Sequence, residues 1–384
     1  MRCMKSLGSF VLFLFGHHHC MGQSFTQTIG GVSSEVGIGA SAVGDGYRVS
    51  VRAYEVPATH QGGSVYSMSA TGGLVSGAAL ALDGEVFLQD HVNAADGSVL
   101  LIGSIIPANV TDHDGLLVKL NMDGSVAWTM HPSLPGSQQY LGGYALPDGG
   151  VVVCGISATD DGHEALVTRS DVNGVVVWSH VEPSATDAEA HAVAVEGTTV
   201  MVTGRQKTFG GTDEALFLRM DLDGAVIWNT TKGGSANDEC RAIIGTGDGT
   251  FVAAGWTNSY GTRDLTRDTI PFHTYIIAIE LDGDTLWTKA LGDTLFERHA
   301  YAMEAAPNGD LLIAGERSTS GLSDALLLRL SPLGGPIWER AIDTGKEERI
   351  VHLLPLADGM VGTGWSFGEF SGQLLFIRRN ADGF

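Results

Sequence analysis

The chain has 384 residues, with 44 acidic against 22 basic side chains and a net charge of −22. So acidic a surface repels phosphate backbones and anionic bilayers, and nucleic acid is therefore excluded as an expected partner. With 43% hydrophobic and 17% charged residues the composition is that of an ordered globular protein, and 53 glycines suit a chain of many tight turns.

Taken from the start, Arg2 and Lys5 precede an apolar stretch from Leu7 to Phe15 and a small-x-small site at Cys20-Met21-Gly22. This is the pattern of an export signal. Residues 1–22 are expected to be removed, leaving a mature chain of 23–384 that is secreted or at the cell surface. The apolar run is too short to span a bilayer and no later segment is longer, so no integral membrane segment is expected. His17-His18-His19 is a poor context for a lipid-anchored Cys20 and would leave with the leader. Cys3 and Cys20 would leave too. Cys154 and Cys240 then remain in the third and fifth repeats, which would not be neighbours in a ring, so no disulfide is expected although the compartment allows one. Cys154, inside Val151-Val-Val-Cys154-Gly, reads as a small buried apolar residue.

Beyond the leader the chain repeats. A first turn ends at Gly46, Gly97, Gly149, Gly197, Gly249, Gly309 and Gly359, at spacings of 51, 52, 48, 52, 60 and 50 residues. A second follows at Gly72, Gly124, Gly174, Gly224, Gly283, Gly334 and Gly383, and four residues after most of these stands Trp128, Trp178, Trp228, Trp287 or Trp338. In the fourth repeat the runs His191 to Val195, Thr199 to Thr203, Ala215 to Met220 and Ala225 to Thr230 read as strands joined by tight hairpins. Four antiparallel strands in about 50 residues is the arithmetic of a propeller blade. The seventh copy stops one strand short, and Phe25-Thr-Gln-Thr-Ile29-Gly-Gly31 has the spacing of Trp228-Asn-Thr-Thr-Lys232-Gly-Gly234. The expectation is an all-β, seven-bladed β-propeller, closed by pairing Phe25 to Ile29 beside Leu374 to Arg378. The tryptophans are expected to fill the widening gap between blades.

The stretch Asp324-Ala-Leu-Leu-Leu-Arg329-Leu330 through Gly334 to Trp338, and its copy Glu214-Ala-Leu-Phe-Leu-Arg219-Met220 with Gly224 and Trp228, resembles the bacterial beta-propeller repeat proteins. That resemblance covers nearly the whole mature chain and implies the same fold and export. Members often carry a C-terminal sorting domain. None follows here, so attachment of that kind is not expected. The sialidase Asp-box, Trp-Asp and kelch patterns fit less well.

The glycine turns fall at one end of each blade and are short and uniform. The second-to-third and fourth-to-first connections fall at the other end and vary, which makes that face the expected site of recognition. Its longest loop, Thr257 to His273, mixes aromatic and charged residues; it reads as a lid or rim, or as a solvated insertion with local ion pairs. Just past the glycine ending the second strand come Ser104, Ile156, Arg205, Trp256, Glu316 and Trp365. Two tryptophans there offer flat apolar surfaces on which sugar rings stack; packing at the blade ends is the alternative. Arg205, Trp256, Glu316, Trp365 and Arg241 are the expected ligand-binding residues.

Acidic residues recur in the fourth-to-first connections: Glu35, Asp187, Glu189, Asp238, Glu239, Glu297, Glu347 and Glu348. As a ring they would suit Ca²⁺ or a cationic ligand; singly, they would accept hydrogen bonds from their own loops. His191, Arg241, Arg298, His299, Tyr301 and His352 lie in or before the first strands, which line the channel of a propeller. With Glu239 or Glu297, His299 would supply acid–base chemistry. Asp112-His113-Asp114 and Asp160-Asp161-Gly162-His163 lack the full spacing of a calcium loop. No metal or cofactor is expected, Ca²⁺ on the acidic ring being the one candidate. These features point to a monomeric, non-enzymatic binding or scaffold propeller that takes a glycan or protein ligand. The alternative is a polysaccharide hydrolase or lyase with acid/base residues at the channel mouth.

Overall fold

The computed structural model describes residues 23–30, 34–54, 61–132, 134–159, 162–266, 268–319, 322–368 and 371–384. The expected export signal, Gly31, Asp160-Asp161 and Arg267 lie outside them. Runs of Val, Leu and Ile between glycine turns form 28 strands in seven antiparallel sheets of four. Six sheets take their strands consecutively. The seventh is completed by Phe25–Ile29, which pairs with Gly372–Asn380 in the register Phe25↔Arg378 to Ile29↔Leu374. The ring therefore closes as expected, and Gly372–Asn380 is paired on both sides. Arg379 strengthens the seam by donating from Nη1 to the Phe25 carbonyl at 2.7 Å and from Nη2 to Thr26 Oγ1 at 2.7 Å.

The core is a set of seven clusters, one between each neighbouring pair of blades. The seam cluster joins Val49, Val51 and Met68 of blade 1 to Val361, Leu374 and Phe376 of blade 7. Strands are longer than the sequence runs suggest; in blade 4 they are Ala188–Glu196, Thr199–Lys207, Asp213–Asp221 and Val226–Lys232. Gly224 and Gly249 turn the chain with φ of +93° and +89°, conformations that a side chain disfavours. The tryptophans sit between blades, but on the outermost strands they are only half-buried. Cys154 and Cys240 are buried free thiols, and burial raises both well above the usual thiol range. Among the described residues no helix is long and apolar enough to cross a membrane.

One irregularity recurs in every blade. The first strand carries a β-bulge at the same place, leaving Ile38, Gln89, Leu141, His191, Arg241, Tyr301 and Val351 as the extra residues of blades 1 to 7. A bulge re-aims the side chains around it. It also explains the recurring glycine of the second strands, which lies within them and does not end them. A Cβ at Gly204, Gly255, Gly315 or Gly364 would run into the carbonyl oxygen of Glu189, Glu239, His299 or Arg349, respectively.

Candidate functional site

At the loop-rich end, each bulge sets a cross-strand pair beside the channel. These pairs are Glu189 with Arg205, Glu239 with Trp256, His299 with Glu316, and Arg349 with Trp365 in blades 4 to 7. Blades 1, 2 and 3 offer Val36 with Arg52, Phe87 with Ser104 and Gln139 with Ile156. The ring is thus chemically lopsided: only in blades 4 to 7 are both members of the pair charged, aromatic or imidazole.

There they form one continuous network. Arg205 donates from Nη2 to Asp187 Oδ2 at 2.6 Å and to Glu189 Oε1, and from Nη1 to Asp213 Oδ1 at 3.1 Å. His191 Nε2 lies 3.4 Å from Glu189 and 3.2 Å from Glu239. On its other side, Arg241 Nη1 is 3.2 Å from His191 Nδ1. A guanidinium only donates, so Nδ1 accepts and the imidazole proton sits on Nε2, facing the two carboxylates. Arg241 also pairs with Glu239 through Nε and lies 5.2 Å from the centre of the Trp256 ring. Trp256 in turn meets His299 at 5.0 Å and Tyr301 at 5.5 Å between ring centres. Tyr301 donates to Glu316 Oε1 at 3.2 Å, and Arg349 grips Glu316 with two bonds of 2.8 Å. The same guanidinium lies 4.3 Å from the Tyr301 ring centre and 5.2 Å from that of Trp365.

Electrostatics follows from this pairing. Burial would raise Glu189 and Glu239, but Arg205 on the first, and His191 with Arg241 on the second, bring both below the usual carboxylate range. Burial lowers His191 and His299, so both are neutral imidazoles. Burial also raises the Tyr301 phenol. Glu189 and Glu239 are therefore ionised and paired with Arg205 and Arg241. They are poor proton donors.

The structure thus brings together Arg205, Glu239, Arg241, Trp256, His299, Glu316 and Trp365 of the sequence-predicted residues. Glu297 is exposed and stands apart, influencing His299 through its field alone. Arg298 is buried and turned outward, to Asp293 at 2.9 Å and Glu339 at 3.0 Å. The fifth-repeat loop divides: Phe272 packs on His299 at 5.1 Å between ring centres, whereas Arg263 and Asp268 form an exposed ion pair at 2.8 Å. His113 packs on Phe87 and faces Ser104 Oγ at 3.0 Å. His163 lies with Asp187 and Glu189, 3.4 and 3.2 Å from them, where Arg205 already supplies the positive charge.

Sequence reasoning missed two channel groups, Asp90 and Glu304. Below the mouth the channel holds a chamber of about 270 Å³ lined by Gln89, Asp90, His191, Arg241, Tyr301, Glu304 and His352, among others. It opens at the glycine-turn end into a wider funnel of about 880 Å³. Burial pushes Asp90 up to about 6 against the amides of His91 and Gly143, and pushes Glu304 up to about 7 with help from Asp90. His352 is lowered to about 4 by burial. The bulge hid them. After it, the channel-facing parity shifts by one residue, so simple alternation along the strand points Glu304 the wrong way.

No family model matches the chain, and no curated protein matches it. Solved structures do. The Pan2 WD40 domain of Neurospora crassa aligns over 92% of this chain and 91% of its own at 10% identity, with a TM-score of 0.53. Sqt1 of Chaetomium thermophilum, bound to the N-terminus of the ribosomal protein L10, aligns over 91% and 98% at 12% identity, with a TM-score of 0.51. Puromycin hydrolase aligns over 88% of this chain but 50% of its own, at 16% identity and a TM-score of 0.55. Identities this low speak for the fold alone. By its own sheets and by these likenesses, the chain is a seven-bladed β-propeller.

Proposed function

We propose that the protein is an exported, non-enzymatic binding propeller that takes a glycan or a protein segment at the loop-rich mouth of its channel, across blades 4 to 7. The observation that carries this reading is the unbroken run Arg241, Trp256, Tyr301, Arg349 and Trp365. Half-buried aromatic faces of blades 5 to 7 are held rigid by stacked guanidinia, and His191 and Arg205 of blade 4 continue the network. Rigid aromatic residues flanked by arginines bind at low entropic cost, and they dominate recognition surfaces. The Sqt1 complex supports the reading, since that propeller takes a protein terminus. The resemblance to the bacterial repeat proteins and the leader-like residues 1–22 support export.

One observation favours a second reading. Burial raises the pKa values of Asp90 and Glu304 in the channel chamber, as the acid of a polysaccharide hydrolase or lyase requires. The two readings separate in one experiment. Soluble glycans, polysaccharides and peptides are screened for retention and for cleavage, with wild type beside Trp256→Ala and Trp365→Ala. A binding propeller retains a ligand without turnover and loses it by about tenfold or more in either variant. Equal retention by all three proteins removes the mouth as the site. Cleavage lost in Glu304→Gln but kept in the tryptophan variants favours the chamber enzyme.

A further inference from the structure

Away from the channel, three carboxylates meet where blade 6 joins blade 7. Asp324 stands near the start of the third strand of blade 6, Asp343 in the connection that follows the fourth, and Glu348 in the first strand of blade 7. One oxygen from each lies within 4.8 Å of the others. Glu348 is the unusual member. It has no solvent exposure, and its Oε2 has no hydrogen-bond partner. Its Oε1 accepts from the Thr344 hydroxyl and, at 3.3 Å, from Ser366 Oγ. Asp343 Oδ1 takes the Gly345 amide at 2.7 Å, and Asp324 Oδ2 takes Arg317 Nε and Nη2 at 3.0 and 2.9 Å. Three carboxylates and one guanidinium leave two negative charges. A buried carboxylate oxygen without a donor is a strong claim on a cation.

A buried carboxylate oxygen without a donor recurs at the same strand position in blades 1 and 5, as Glu35 Oε2 and Asp238 Oδ1, but among the described residues only Glu348 meets two further carboxylates. At His163, Asp187 and Glu189 the Arg205 guanidinium already fills the place of the ion. At Asp238, the position in blade 5 equivalent to Glu348, Oδ2 takes the Gly234 amide at 2.8 Å and Ser259 Oγ at 2.6 Å, Oδ1 lacks a donor as Glu348 Oε2 does, and Glu214 is the one acidic neighbour that feels its field. A donor set of carboxylate oxygens, without imidazole or thiolate, selects a hard cation over zinc. We propose that Asp324, Asp343 and Glu348 bind a Ca²⁺ ion that fastens the first strand of blade 7 to blade 6. Few protein oxygens and an exposed Asp343 imply an affinity in the range of extracellular modules, about 0.1–1 mM.

The test uses the mature chain, stripped with chelator and titrated with Ca²⁺ alone by calorimetry and by thermal melting. Wild type takes up one ion saturably and melts higher with Ca²⁺ than with chelator. Asp343→Asn lies at the surface and folds, and it weakens binding by about tenfold or more. Glu348→Gln does the same and removes the thermal shift. Asp187→Asn, in the cluster neutralised by Arg205, leaves both unchanged. Absence of saturable uptake up to about 10 mM overturns the assignment, as does uptake that neither Asp343→Asn nor Glu348→Gln alters.

Discussion

Trp228 donates from Nε1 to the Leu281 carbonyl of the next blade at 2.9 Å, and Arg219, directly across the strand pair, donates to the same oxygen at 2.6 Å. The device recurs. Trp178 and Arg169 share the Leu222 carbonyl at 3.0 and 2.9 Å, and Trp338 and Arg329 share that of Ala381 at 3.1 and 2.6 Å. These outer tryptophans therefore do more than fill space; Trp178, Trp228 and Trp338 each latch a blade to the second glycine turn of its neighbour. Trp228→Phe keeps a ring and loses the donor, and should cost about 1–2 kcal/mol in chemical denaturation. Trp228→Ala should cost about 2–4 kcal/mol, less than a fully buried tryptophan, because half of the ring faces water. Because Arg219 and Trp228 serve one oxygen, their substitutions should be non-additive in a double-mutant cycle.

Closure of the ring rests on one short strand. Phe25 packs on Phe376 at 5.1 Å between ring centres and covers the turn at Gly72. Removing residues 23–31 would expose the edge of Gly372–Asn380 and part of the seam core. The shortened protein should aggregate or lose its single cooperative unfolding transition. A monomeric, cooperatively melting deletion variant would count against this role.

The bulges make a sharper prediction. At Gly255 a Cβ would sit on the Glu239 carbonyl, whereas at Gly62 it would meet nothing within 4 Å. Gly255→Ala should therefore destabilise by about 3 kcal/mol, and Gly62→Ala should leave the denaturation midpoint nearly unchanged.

Glu304 gives the pH dependence. Its folded pKa, raised to about 7, lies above its unfolded value, so the folded state holds the proton more tightly. This carboxyl weakens the fold as pH rises from about 4 to about 7, and its penalty is complete above that range. His352, lowered to about 4, acts in the opposite sense: its neutral form favours the fold until acidification below about 6.5 charges the unfolded chain. The comparison must therefore be between variants. Glu304→Gln should be more stable than wild type at pH 8, by roughly 3 kcal/mol, and nearly level with it at pH 4. A constant difference across that range would show that Glu304 does not titrate as described.

Much of this was legible in the sequence. Ring closure was readable because the distance from Phe25 to Gly46 matches that from Trp228 to Gly249. Arg205, Trp256, Glu316 and Trp365 were readable because each follows a glycine that the bulge makes obligatory. The bulge itself left no pattern of its own in the first strand, so Asp90 and Glu304 escaped notice, and Glu297 drew attention by its neighbours alone. Nor did the sequence show that Glu239 and Glu316 are held by Arg241 and Arg349, since those partners come together only through the fold.

The most direct test is a crystal structure of the protein with a ligand retained in the binding screen. The account predicts density at the loop-rich mouth, in contact with Trp256, Tyr301 or Trp365 and within reach of Arg241 or Arg349. A ligand seated instead in the wide funnel beside Glu196 and Thr246, or on the outer strands, would contradict it.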